Sequence, residues 1–567
     1  MNNSHTTLKG ELHIIINRDN GWTYHKIKDG YILYKGNLFS WGEELGSLVS
    51  LLDDDDDSVI EYISNIRGNF SLVISTDYRA IISVDHIRSD SLYYLSNNES
   101  TIVTDDVGYL KKQLGEEFDI SNSSKIQILM SGYTLFEDTI YTRIKSFIPG
   151  EVFLYCHKNT SIYNINNYQD WFGKKNKTPE SLNLLCSKFN DVILEVMSET
   201  INSLNNRQVV IPLTSGYDSK LIVSIFRHYN YENVICYTYG TINNFEAISA
   251  EEFSNSLGYK WIFVELKIKE QISFYKSCDF FSYLDYSDTV DSVPYYQGLY
   301  SIKYLKEKNL IDNDAVFING NSGDFITGGH ISKFYHYCNK SHLSKSVFNV
   351  IIDNFYSLWG HKKTLSNTEI IANRIEDQYQ YLKDNYSTDV QVCDFIYYYE
   401  FINRQSKYVI QGQKTFEYYG YDWRMPLWDS KMIVFWSTIS NYYKNEQFLY
   451  KSTIEKYNYS NVWNKGYKIN KYHISDPIVR YVRIILKIII IVFTAGNHKF
   501  WNRIDRTFFL YFYHIPRMYC SVPYWKIVFS LFKYPRHSVS FDTKRYLSRY
   551  KNTDKDCIQV SNKKQGL

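Results

Sequence analysis

Two short stretches of this chain carry side chains suited to chemistry on a phosphorylated ligand. The first is Thr214-Ser215-Gly216-Tyr217-Asp218-Ser219, where hydroxyls, a glycine and one carboxylate sit between an apolar run and an amphipathic one. Such a loop offers unpaired backbone N–H groups and the positive end of a helix dipole, which together attract phosphate. No Gly-Lys-Ser/Thr triplet follows, so the loop is not of the lysine-dependent nucleoside triphosphate type. The second stretch is Asn319-Gly320-Asn321-Ser322-Gly323-Asp324, followed by Gly328-Gly329. A lone hard ligand such as Asp324 beside a phosphate loop suits Mg²⁺, which binds nucleotides through few carboxylates and several waters. Either stretch alone is compatible with ordinary turn chemistry; two on one sheet are harder to explain that way.

The surrounding pattern supplies that sheet. Residues 208–213, 233–239, 261–265 and 315–318 read as short apolar strands, with helices over 218–229 and 246–257 between them. Leu221, Ile222, Ile225 and Phe226 give the first helix one apolar side. Alternation of this kind predicts a parallel sheet flanked by helices, with ligands beyond the carboxyl ends of the strands. Both loops fall at such ends. Upstream, the chain to about residue 170 reads as β-rich, with β-branched runs at 70–74, 80–84, 93–95 and 101–103. The five consecutive carboxylates Asp53 to Asp57 read as a solvated loop rather than a metal site. A polar stretch at 173–177 marks a domain boundary, and Thr178-Pro179 reads as the capped start of a helix whose apolar face is Leu182, Leu185, Phe189, Val192 and Val196.

Composition sets the outer limits. The 567 residues are too many for one core, and 44% hydrophobic with 22% charged residues is ordinary for a globular protein. The 54 tyrosines beside 9 prolines read as codon bias rather than chemistry. The eight cysteines are scattered with no CxxC pair, which argues against zinc or a disulfide framework and for a reducing cytoplasm. The first residues lack the layout of a signal peptide, and the longest apolar run, 484–495, falls short of a membrane span. Net charge is +2, yet residues 477–567 hold 17 Lys and Arg against 4 Asp and Glu. That asymmetry points to a surface meeting phosphates, acidic lipids or an acidic partner.

Taken in order, the motifs resemble the asparagine synthetase family. Residues 214–219 are similar to its Ser-Gly-Gly-x-Asp-Ser pyrophosphate loop. Gly320-Asn321-Ser322-Gly323-Asp324 with Gly328-Gly329 resembles its Gly-Glu-Gly-x-Asp-Glu…Gly-Gly segment. Asp422-Trp423-Arg424-Met425-Pro426-Leu427-Trp428-Asp429 resembles its Glu-x-Arg-x-Pro-Phe-Leu-Asp. Farther upstream, Arg67-Gly68-Asn69-Phe70, Asp85-His86, Leu92-Tyr93-Tyr94 and Ile148-Pro149-Gly150-Glu151 are similar to its N-terminal glutamine amidotransferase domain. The resemblance implies an α/β plus α+β chain: a class II glutamine-amidotransferase-like (Ntn-type) sandwich over 1–172, a parallel-sheet, Rossmann-like ATP pyrophosphatase domain over 178–475, and a basic, aromatic extension over 476–567.

The implied chemistry is that of an ATP-dependent amide-forming ligase. ATP would lie on Thr214, Ser215, Gly216, Asp218, Ser219 and Gly320, with Mg²⁺ at Asp218 and Asp324 and catalytic roles for Lys465 and Asn321. A substrate carboxylate attacks the α-phosphorus, and ammonia or an amine takes the acyl group. The departures are specific. The family's glutaminase nucleophile is a cysteine at position 2, and this chain has Asn2, which cannot attack an amide as a thiolate does. The family's loop glutamates are replaced by Asn321 and Phe325, and an amide accepts no amine proton near neutrality. The expected partners are therefore a carboxylate substrate and an ammonia or amine donor, without nucleic acid; a nucleotide-holding protein that does not turn over is the alternative. Asp422, Arg424 and Asp429 read as structural ion-pair residues. Basic and aromatic residues around 484–493 and 508–525 suit peripheral contact with the inner face of a membrane, against the alternative of a helix buried on the synthetase domain.

Overall fold

The computed structural model describes residues 4–8, 11–39, 48, 50, 55–97, 99–156, 159–166, 180–337, 342–386, 390–463, 477–512 and 518–550. The N-terminal part is built of β1 (Ser4–Leu8), β2 (Leu12–Ile16), β3 (Thr23–Ile27), β4 (Gly30–Leu38), β5 (Gly68–Thr76), β6 (Arg79–Val84), β7 (Tyr93–Ser96), β8 (Thr101–Thr104), β9 (Lys145–Ser146), β10 (Glu151–Cys156) and β11 (Asn159–Asn164). They form two sheets, ordered β1-β2-β8-β7-β9 and β11-β10-β6-β5-β4-β3. The sheets share one core: Leu12, Ile14 and Ile16 of β2 meet Val73, Ile82 and Phe153 of the other sheet. The alternate residues Leu72, Ile74 and Ile81 face outward and are covered by Val59 and Ile63 of α1 (Asp56–Asn65). Burial on both faces explains why β5 and β6 carry apolar residues at consecutive positions, Leu72-Val73-Ile74 and Ala80-Ile81-Ile82. Asp55 caps α1 by accepting the Ser58 N–H at 3.0 Å, and Asp56 and Asp57 lie in its first turn. The described end of the acidic run is thus a helix start favoured by the dipole, not the solvated loop expected from its charge.

The second part opens with α2 (Leu182–Asn202). Its cap is Ser181, whose hydroxyl accepts from Leu184 N–H at 3.3 Å; the helix start expected at Thr178-Pro179 lies outside the described residues. A five-stranded parallel sheet follows: β12 (Val209–Pro212), β13 (Val234–Gly240), β14 (Lys260–Glu265), β15 (Val316–Ile318) and β16 (Asp422–Arg424), in the order β14-β13-β12-β15-β16. α3 (Tyr217–His228) and α4 (Phe245–Ser256) connect the first three strands. The chain runs outward from β12 to β14 and then returns to lay β15 on the other side of β12. The strand order therefore reverses between β12 and β15, the position where open α/β sheets bind ligands.

α5 (Val392–Glu400) continues directly into a π-helical segment, Phe401–Val409. π-helical turns are rare and recur at functional sites. The sandwich clamps this one: Asn403 accepts the Phe136 N–H at 2.6 Å, Lys407 donates to Thr134 Oγ1 at 3.0 Å, and Arg88 donates to the Ser406 carbonyl at 3.2 Å. Beyond α6 (Phe448–Tyr457), the C-terminal extension divides in two. α7 (Pro477–Phe493) and α8 (His498–Phe508) pair with each other, whereas α9 (Val539–Arg549) packs into the sandwich through Val539, Tyr546 and Leu547. Among the described cysteines 156, 186, 236, 278 and 520 are free thiols, and Cys393 is disulfide-bonded, which departs at that position from the expected reduced state.

Candidate functional site

The loops after β12 and β15 touch because two glycines allow it. A Cβ at Gly320 would lie 3.2 Å from both Asp218 Cβ and the Ser219 nitrogen, and one at Gly323 would lie 2.7 Å from Asp218 Cγ and 2.6 Å from Leu427 Cδ1. The second loop is thereby packed directly against Asp218, with Gly320 and Gly323 facing its side chain. Gly323→Ala should part the loops and lower activity by about 10²-fold, the cost of a misplacement near 1 Å. Pyrophosphate release from ATP, read beside a thermal melt, checks this.

The first loop is held by its own hydroxyls. Ser219 Oγ accepts the Thr214 N–H at 3.1 Å, and Thr214 Oγ1 accepts the Gly216 N–H at 3.2 Å. No side chain caps α3, whose N-cap is Gly216, so its first-turn N–H groups are available to a ligand. In the second loop Ser322 adopts a left-handed conformation (φ 64°) and donates to Gln405 Oε1 at 2.8 Å, while Asn321 N–H donates to Asn319 Oδ1 at 3.0 Å. Phe325 turns inward, 1% exposed and stacked on Tyr397 at 4.7 Å. A residue at that position cannot serve a ligand.

These groups line one cavity of 590 Å³. Thr214, Ser215, Gly216, Asp218, Ser219, Gly320, Asn321 and Asp324 all contribute to its wall, together with Tyr239, Glu246, Gln297, Arg404 and Tyr408. Lys465 lies outside the described residues; the chain leading to it is anchored by Trp463, stacked on Tyr217 at 5.8 Å and donating to Ser224 Oγ at 3.3 Å. Asp422, Arg424 and Asp429 lie away from the cavity. Asp422 pairs with Arg207 at 2.7 Å, Asp429 with Arg67 at 2.6 Å, and Arg424 is buried and donates to Ser203 at 3.1 Å. A larger cleft of 880 Å³, containing Asp90 between Lys35 and Lys414, includes none of the loop residues.

The electrostatics of the cavity are set by a relay that the sequence did not reveal. His330 contacts Asp324 Oδ2 at 3.1 Å through Nε2 and Glu400 Oε1 at 2.7 Å through Nδ1. Arg404 and Gln405 donate to the same Glu400 oxygen at 2.9 and 3.1 Å. Burial works against a charged His330, but Glu400 and Asp324 outweigh it and push its pKa up to about 10. The relay is an imidazolium between two carboxylates. The cavity walls disfavour charge on Asp324 as well, yet His330 and Arg404 hold it below the usual carboxylate range. Asp218 behaves oppositely: burial, with the Asp324 charge adding to it, raises its pKa to about 7 despite the 2.9 Å hydrogen bond from Tyr450 on α6. The only sequence cue to this relay is the place of His330 directly after Gly328-Gly329; Glu400 and Arg404 lie some 70 residues on, in a segment that reads as core.

Two facing carboxylates, one resisting ionisation because of the other, are a donor set that a cation relieves. Among the described residues no group of three or more His, Cys, Asp or Glu side chains is arranged to hold a metal ion. The pair therefore fits Mg²⁺ carried in with phosphates, which needs one or two protein carboxylates, and not an all-protein cage.

No protein-family model matches the chain, and no curated protein matches its sequence. Among solved structures it is similar to an NH3-dependent NAD synthetase from Campylobacter jejuni, at 14% identity and a TM-score of 0.20, over 41% of this chain and 97% of that one. It is also similar to the allosteric regulatory enzyme of purine biosynthesis, at 10% identity and a TM-score of 0.17, over 55% of this chain and 58% of that one. A third is the glutamine phosphoribosylpyrophosphate amidotransferase from B. subtilis, at 10% identity and a TM-score of 0.15, over 54% and 59% of the two chains. Overlaps this slight define no shared family, and the chemistry has to be read from the cavity.

Proposed function

We propose that this chain is an ATP-dependent amide-forming ligase of the asparagine synthase-like kind. The observation that carries the reading is the meeting of two phosphate-type loops at the strand-order reversal between β12 and β15, where glycines let them touch and Asp218 and Asp324 line one cavity. A substrate carboxylate oxygen attacks the α-phosphorus of ATP and pyrophosphate leaves. Ammonia or an amine then attacks the acyl carbon and AMP leaves, forming the amide. The open N–H groups at the start of α3 bind phosphate oxygens, and the Thr214 and Ser219 hydroxyls fix the loop around them. Asp218 and Asp324 are the residues that would hold Mg²⁺, which when bound neutralises phosphate charge. Asn321 orients the amine by hydrogen bonding. Glu246, whose pKa burial raises, is the wall carboxylate suited to accept the amine proton.

With Asn2 in place of a thiol, the N-terminal sandwich is an amidotransferase-like domain without its own glutaminase, and the enzyme works in the cytoplasm on ammonia or an amine. The burial of Phe325 favours a second reading, a nucleotide-holding protein without turnover. Incubation with Mg-ATP, an amine and candidate carboxylates separates the two: AMP and pyrophosphate should form together and ADP should not. Free glutamine should release no glutamate. ADP as product would end the adenylate reading, and glutamate release by the pure chain would end the claim about nitrogen.

A further inference from the structure

α7 and α8 form a hairpin that turns at Gly496 (φ 84°). One side of α7 is covered: Val479, Ile490 and Ile491 cluster with Trp501, Ile504 and Phe509, and Arg483 pairs with Asp505 at 2.6 Å. The other side is not. No residue of this 17-residue helix is buried, and Val482, Ile485, Ile488, Ile489, Val492 and Phe493 are 43–85% exposed. Val482, Ile485, Ile489 and Val492 recur at steps of three and four, so they share one face. Trp525, Phe529 and Phe532, on the short segment that packs against α8, are 58–80% exposed and extend the same apolar character. Exposed apolar surface on two segments that both pack on α8 marks an interaction site.

The charges beside it select the partner. Between residues 477 and 550 the chain has only two acidic residues, Asp505 and Asp542, paired with Arg483 and Arg545. Lys487, Lys499, Arg503, Lys526 and Lys533, on the same helices and segment, are exposed. A second copy docked on this face would bring like cations together, whereas anionic headgroups would pair with them. Seventeen helical residues reach about 25 Å, short of the ~30 Å hydrocarbon core, and no helix among the described residues is long and apolar enough to cross a membrane. We propose that the α7–α8 hairpin and the segment bearing Trp525, Phe529 and Phe532 lie in the plane of an anionic bilayer surface and hold the enzyme there. The apolar face enters the acyl boundary and the lysines reach the headgroups.

Flotation of the full-length chain with phosphatidylcholine vesicles and with phosphatidylglycerol-containing vesicles, each at low and high salt, tests this. Binding should require phosphatidylglycerol and weaken with salt. Lys487→Gln with Lys526→Gln should lower partitioning about five-fold per charge. Ile485→Asp with Ile489→Asp should lower it about 10²-fold or more without changing the thermal melt, since both side chains are solvent-exposed. Leu365→Asp, a still more exposed position elsewhere, should change nothing. Absence of binding at low salt, equal binding to neutral vesicles, or binding indifferent to the Ile485/Ile489 pair would overturn the proposal. A dimer that the pair variant dissociates, with neither form binding vesicles, would assign the face to a second copy instead.

Discussion

Asp218→Asn should abolish pyrophosphate release from Mg-ATP and at the same time make the protein more stable above neutral pH. The loss follows from removing a carboxylate at the phosphate loop, for which about 10²–10³-fold is expected. The gain follows from the raised pKa. A carboxyl group with a folded-state pKa near 7, against 3.8 as an ordinary value, favours folding while protonated. That stability is full below about pH 4 and is lost as pH rises through 7. Asparagine keeps the neutral shape at every pH, so the melting temperature of the variant should fall less between pH 5 and pH 8 than that of the native chain. Each kcal/mol relieved corresponds to about 2–4 °C in a domain of this size. Mg-ATP should raise the melting temperature of the native chain at pH 8 and leave the variant nearly unchanged. An Asp218→Asn protein with native pyrophosphate release would exclude the site altogether.

The second large effect lies in the seam between the sandwich and the parallel-sheet part. Arg88 and Asp291 are both fully buried and ion-paired, and Arg88 also reaches Ser146 Oγ at 2.7 Å and the Ser406 carbonyl of the π-helical segment. Asp291→Ala leaves the guanidinium buried without its carboxylate, and about 3–5 kcal/mol of stability should be lost. The denaturant midpoint measures it. Replacing both partners, Arg88→Met with Asp291→Leu, should recover part of that loss, because the guanidinium leaves with its carboxylate while the buried Lys407 still loses the Asp291 charge. A double variant as unstable as the single one would show that shape, not charge, holds the seam. Activity should fall with Asp291→Ala beyond the loss of folded protein, since the Ser406 contact helps to hold the segment bearing Arg404 and Gln405.

Local structure was legible in the sequence wherever neighbours in the chain are also neighbours in space. The 214–219 and 319–324 loops, the apolar face of α3 and the strands that precede them follow from periodicity and turn residues within a dozen positions. What the sequence hid depends on long-range contact. β16 has three residues, too few to display alternation, and it becomes a strand only through pairing with β15. The relay through His330, Glu400 and Arg404 joins residues separated by 70 positions, and Glu400 sits in a run of aromatic and aliphatic residues that gives no cue to a charge. The cap of α2 is Ser181, a residue that local rules do not rank above Thr178, because both are hydroxyl side chains ahead of the same apolar face.

The seam also sets a timetable for synthesis. Arg88 is made 203 residues before Asp291 and 318 before Ser406. At the usual ~5–20 residues per second of translation, Arg88 is made roughly 10 to 40 s before the Asp291 carboxylate that neutralises it. Over that interval the nascent half carries an unmatched charge on a surface that will later be interior, and its outer sheet awaits the cover of α9, which is made last. Folding of the first half is therefore completed only by the second, and an N-terminal fragment expressed alone is expected to be retained by chaperones or lost as aggregate.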